Sequence, residues 1–258
     1  MVPLAFAQAQ ENSGEDRYGR CMAMADRVPD KAINLALEWQ ANGGGVPARH
    51  CEAYALVHLG EPAEGAARMM QIAKDMRVGR DMPVRMGKRV VANAGLLADM
   101  YGQAANAWLL AGEIVRASDA VDLALSLAQR GSVQERELIV DRARIAAADK
   151  DYELALNDLE YVLKGDSGRK DILILLASAA RGSGKYARAA TVLAAYQRAF
   201  PDDPAAFLEL GNLEHVQGNK AAARSAWLRV LQLEEAGMNA EAARTNLEKM
   251  DGGLETKD

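Results

Sequence analysis

The sequence predicts an all-α chain of repeated helical hairpins, and three observations carry that prediction. Half of the 258 residues are hydrophobic but only 5% are aromatic. An Ala-rich apolar stock suits closely packed helices, whereas strands favour Val, Ile, Thr, Tyr and Phe. Prolines are scarce, and most glycines fall between helical stretches rather than inside them. Finally, two stretches near the C-terminus, running from Ile172 and from Ala205, repeat one pattern whose matching residues, such as Gly184 and Gly218 or Ala189 and Ala223, lie 34 residues apart, the self-similarity of stacked helical units.

Taken in chain order, residues 1–11 stand apart. Ala5 and Ala7 form an A-x-A pattern with cleavage expected before Gln8, although the apolar stretch is a stub without a basic segment. Two readings stay open: the remnant of a signal peptide, which implies a periplasmic protein, or a frayed Ala-rich terminus, which leaves a cytoplasmic one. Cys21 and Cys51 pose the same choice. An even count fits a disulfide in an oxidising compartment, and two buried thiols fit a reducing one.

Ala32, Ala36 and Trp39 mark the second helix of a first hairpin, and the glycines of the Asn42–Gly45 run read as a helix stop. Gly60, Gly65 and Met69 mark a degenerate second unit, paired with Ala53. A longer loop is expected around Arg77–Pro83. Tyr101, Ala104, Trp108 and Ala111 read as the second helix of a third unit, paired with Ala92. Ser118–Gln129 then reads as one extra helix, which would break the alternation near residues 118–130. Tyr152, Ala155 and Leu159 follow, with Ala143 in the partner helix. The last two units carry Ala177 and Gly211 in their first helices, turns at Gly184 and Gly218, and Ala189–Leu193 and Ala223–Trp227 in their second helices. Asn239–Lys249 reads as a more polar capping helix, which a helical stack needs to cover its last apolar face. The small residues Ala32, Gly65, Ala104, Ala155, Ala189 and Ala223 fall at intervals of 33, 39, 51, 34 and 34. The expected organisation is therefore 1–11, a degenerate repeat region 12–117, a more regular one 118–250, and a disordered tail 251–258.

A 34-residue period with small–x3–large in the second helix and Pro201 closing a unit resembles the tetratricopeptide repeat. That resemblance implies a right-handed superhelical solenoid of helix-turn-helix units in which first helices line a concave groove that takes a protein or peptide. Carried onto this sequence, the groove residues are His50, Tyr54, His58, Arg89, Asn93, Arg144, Ser178, Arg181, Asn212 and His215. Their donors suit a peptide backbone or an acidic segment. Arg89 with Asn93 looks like half of a carboxylate clamp whose other half is missing. The same register places Cys21 and Cys51 on first helices of neighbouring units, where a disulfide would stabilise the weakest repeats by roughly 3 kcal/mol.

Catalytic chemistry is not expected. G-x-S-x-G, Walker and H-E-x-x-H motifs are absent, and the three histidines are scattered, so no metal or cofactor is expected either. A net charge of −5 and a pI near 5.4 argue against nucleic acid as the main partner. No apolar run of about 18 residues suggests a transmembrane segment. The expected function is a non-catalytic periplasmic scaffold or adaptor that binds a protein or peptide, with membership of a larger complex open. The alternatives are a cytosolic chaperone-like assembly factor of the same fold and, more distantly, a helical module with a small-ligand or enzymatic site.

Overall fold

The structure is a computed structural model that describes residues 17–82, 84–85, 88–89, 91–165 and 168–252. The expected signal remnant and residues 253–258 of the expected tail lie outside the described residues. The chain divides into two compact units, Met1–Ile145 and Ala146–Asp258, a boundary 28 residues beyond the expected one at residue 117.

Unit 1 opens with α1 (17–25), α2 (Pro29–Ala41), α3 (Gly45–His58) and α4 (Pro62–Arg77). Pro29 and Pro62 occupy the first turns of α2 and α4, where a missing N–H costs nothing and φ is already helical. A two-residue antiparallel pair, β1 (Val84–Arg85) and β2 (Lys88–Arg89), precedes α5 (Ala94–Leu110) and α6 (Ile114–Leu127). The long α7 (Val133–Ala148) runs across the unit boundary.

The third hairpin corrects the predicted register. Residues 94–110 form one helix, α5, which is the first helix of its pair, and residues 114–127 form the second. Ser118–Gln129 therefore holds no extra helix, and the alternation is unbroken. A left-handed residue precedes a small buried one by five positions in Gly60/Gly65, Gly112/Ala117, Lys150/Ala155, Gly184/Ala189 and Gly218/Ala223. The extra length lies instead in residues 78–93, an insertion between α4 and α5 that carries the β pair.

Asp75 anchors this insertion. Asp75 is 5% exposed, and its carboxylate accepts hydrogen bonds from Arg49 at 2.8 Å, Arg80 at 3.0 Å and Gln71 at 3.1 Å. Burial alone would push the Asp75 carboxyl up, but the guanidinium bonds and charges outweigh it and hold it below its usual value. Arg49 also reaches Asp81 at 2.8 Å, and Met82 packs on the central core of α3, α4 and α5. The insertion is thus fastened before it leaves the helices. Cys21 of α1 and Cys51 of α3 form the expected disulfide, with Cα atoms 6.1 Å apart, among buried Ala25, Ala32, Ala36 and Ala55.

Unit 2 comprises α8 (Tyr152–Gly165), α9 (Lys170–Gly182), α10 (Tyr186–Ala199), α11 (Pro204–Val216), α12 (Lys220–Leu233) and α13 (Met238–Gly252). Asp203 caps α11 by accepting from the Ala205 N–H at 3.0 Å. The capping helix α13 covers Trp227 and Val230 with Ala243, Leu247 and Met250. It extends into the expected tail as far as Gly252, and Asp251 there pairs with Arg224.

Candidate functional site: a cleft lined by first helices

A cleft of about 950 Å³ opens in unit 1. Most of its wall comes from first helices, Tyr18 on α1, Val46 and His50 on α3, Leu96 to Asn106 on α5, and Val133 to Asp141 on α7, with Met76 of α4 and Met82 of the insertion completing it. Helices α5 and α7 run parallel there. Gln134 donates to the Gly95 carbonyl at 2.8 Å and to Asp99 at 2.5 Å, and Asn106 donates to Asp141 at 3.0 Å. Between these bonds Gly102 lets α5 approach α7, because a Cβ there would lie 2.6 Å from Leu138 Cδ2. Met76, Met82, Met100 and Leu138 give the cleft apolar surface, and methionine adapts to varied shapes.

Tyr18, His50 and Gln103 form a chain across the cleft wall. The Gln103 carbonyl oxygen can only accept, so His50 Nε2–H donates to it at 2.7 Å, leaving Nδ1 to accept the Tyr18 hydroxyl at 2.7 Å. Burial lowers the His50 pKa from its ordinary 6.5, more than its bond to Gln103 raises it. The folded state therefore binds fewer protons than the unfolded chain once the pH drops below 6.5, and stability falls with pH in that window. We expect the melting temperature of unit 1 to fall between pH 7.5 and 5.5. Thermal melts of a His50→Gln variant should show a smaller fall over the same range.

Among the described residues expected to line the groove, His50 alone borders this cleft. Tyr54 donates to Asp26 at 3.0 Å and His58 approaches the same carboxylate at 3.6 Å, so both tie α3 to the end of α1. Arg89 lies in β2, and Asn93 is the N-cap of α5, accepting from the Leu96 N–H at 2.8 Å. Arg89 and Asn93 therefore share no helix face. Arg144 donates to Asp141 at 3.0 Å. Misplacing the third hairpin's phase hid Leu96, Asp99, Gln103 and Asn106, and Gly112 is the signal that would have exposed them.

In unit 2, Arg181, Asn212 and His215 do come together, around a recess of about 180 Å³ with Trp227, Asn246 and Lys249. Their polar atoms are largely committed. Arg181 donates to Glu209 at 2.6 Å and to Ser178 at 3.1 Å, while Asn212 accepts from Trp227 at 3.2 Å and Asn246 at 2.9 Å. Among the described residues no group of three or more His, Cys, Asp or Glu side chains could hold a metal ion, and no helix is long and apolar enough to cross a membrane.

Hairpins in register, with first helices facing a shared cleft in unit 1, define an all-α helical-repeat protein. The tetratricopeptide repeat family matches residues 174–241, so that stretch carries tetratricopeptide repeats. No curated protein matches the sequence. Among solved structures, a tetratricopeptide repeat protein from Parabacteroides merdae is similar with a TM-score of 0.64 at 13% identity, over 90% of this chain and 83% of that one. Pseudomonas aeruginosa pilF gives 0.60 at 12% identity, over 92% and 99%. A chain of the APC/C hetero-tetramer Cut9–Hcn1 gives 0.59 at 14%, over 91% of this chain and 46% of that one. At these identities the likeness is one of fold.

Proposed function

We propose that this chain is a non-catalytic scaffold that holds a segment of another protein in the unit 1 cleft. The observation that carries this reading is the cleft itself: four first helices converge on an apolar surface rimmed by polar side chains, the composition of a recognition site. The Cut9 hetero-tetramer supports it by fold-level analogy. The Cys21–Cys51 bond supports a protein that works in an oxidising compartment, which for a bacterial chain is the periplasm. A cytosolic assembly factor with reduced thiols is the alternative. The volume, which lies in the range of small-molecule sites, favours an apolar small ligand as a second reading.

Leu96 and Val133 are exposed at 42% and 64% and line the cleft, so they can be changed with little cost to folding. A photo-reactive residue at position 96 should cross-link a protein in the native host. Leu96→Arg/Val133→Arg, with cross-linking from a neighbouring cleft position, should reduce that product at least tenfold at unchanged far-UV dichroism. An undiminished product would place partner binding elsewhere. Mass spectrometry of the alkylated native protein separates the compartments, because two free thiols would remove the support for export.

A further inference from the structure

The charges around the cleft point to the chemistry of its occupant, an inference that rests on the scaffold reading above. Asp99 on α5 and Glu137 and Asp141 on α7 contribute three carboxylates, and no Lys or Arg lines the cleft among the described residues. Glu137 and Asp141 are four residues apart in one helix and so share a face. Asp99 and Glu137 are exposed, while Asp141 is half-buried. The Gln134 bond occupies one oxygen of Asp99, and a carboxylate offers about four acceptor positions. Arg144 already pairs with Asp141 at 3.0 Å and partly neutralises it, but the cleft lining carries no cationic side chain of its own among the described residues, so the expected preference for an acidic segment is not met in unit 1.

We propose that the cleft takes a cationic amphipathic segment of a partner protein, with Lys or Arg against Asp99, Glu137 and Asp141 and apolar side chains against Met76, Met100 and Leu138. Charge complementarity of this kind selects partners and sets their register, while the methionines accommodate varied apolar shapes. Burial pushes the Asp141 carboxyl up despite its bonds to Asn106 and Arg144, and the charge of Glu137 adds to the push. A bound cation would relieve that cost.

The test pans a phage-displayed random dodecapeptide library against the full chain. Cleft-bound peptides are those lost when a Val133→Cys variant is alkylated with a bulky, uncharged maleimide. We expect them to be enriched in Lys or Arg interspersed with apolar residues, and to bind Asp99→Asn/Glu137→Gln about tenfold more weakly. Peptides with Lys replaced by Glu should not bind. Cleft-bound peptides that are neutral or acidic, or that bind the double variant equally well, would overturn the charge preference and leave the scaffold reading standing. A library without any cleft-bound peptide would overturn both.

Discussion

Replacing Trp227 with Ala should destabilise unit 2 by about 3–5 kcal/mol, the usual cost of deleting a buried Trp ring. Trp227 is 2% exposed and packs with Ala223 and Val230 of its own helix and Ala243, Leu247 and Met250 of α13. Its ring fills the space left by Gly211 on α11, where a Cβ would lie 2.4 Å from the indole. One side chain thus joins α11, α12 and α13, and the cavity left by Ala could close only by moving three helices. The indole N–H also donates to Asn212 at 3.2 Å, so Trp227→Phe should recover most but not all of the loss. Guanidinium unfolding followed by far-UV dichroism checks this, with the transitions of the two units fitted separately. A loss below about 1 kcal/mol would show that the ring does not join these helices.

Reduction of Cys21–Cys51 should be the second large effect. The bond closes a span of 30 residues, and the chain-entropy model assigns such a loop about 3.6 kcal/mol. For a unit of this size that corresponds to a fall of roughly 10 °C in the melting temperature. The bond fastens α1 to α3 beside the Tyr18–His50 contact, so loss of the staple should also loosen a wall of the cleft. Thermal melts with and without dithiothreitol, set against a Cys21→Ser/Cys51→Ser variant, measure it. The reduced protein and the variant should melt together, below the oxidised one. Coincidence of all three would mean that the bond is not formed in solution.

Much of the fold was legible in the sequence because helical hairpins are specified locally. The turns at Gly60, Gly184 and Gly218 each have positive φ, a conformation that glycine adopts without strain. The small–x3–large pairs Ala189–Leu193 and Ala223–Trp227 are buried as expected. The third hairpin was misread because α5 is buried around most of its circumference. Leu97, Met100, Tyr101, Ala104, Ala105 and Trp108 all face neighbours, and a helix packed on several sides matches the motif of either hairpin position. The candidate site was less legible, since a groove assignment depends on that phase. A single misplaced hairpin replaced Asp99, Gln103 and Asn106 with Arg89 and Asn93, and so reversed the sign of the charge expected there.

By itself, the sequence determined the helical class, the 34-residue spacing of the last units and the capping helix. These are properties of local periodicity and of register between adjacent repeats. Only the tertiary structure decided which helix α5 pairs with, how Asp75 fastens the insertion, and which carboxylates gather at the cleft. Those outcomes depend on contacts between residues far apart in the chain, such as Arg49 with Asp75 and Asn106 with Asp141. No local pattern records them, because a charged residue on an exposed helix face looks the same in sequence whether it meets solvent, a partner helix or a ligand.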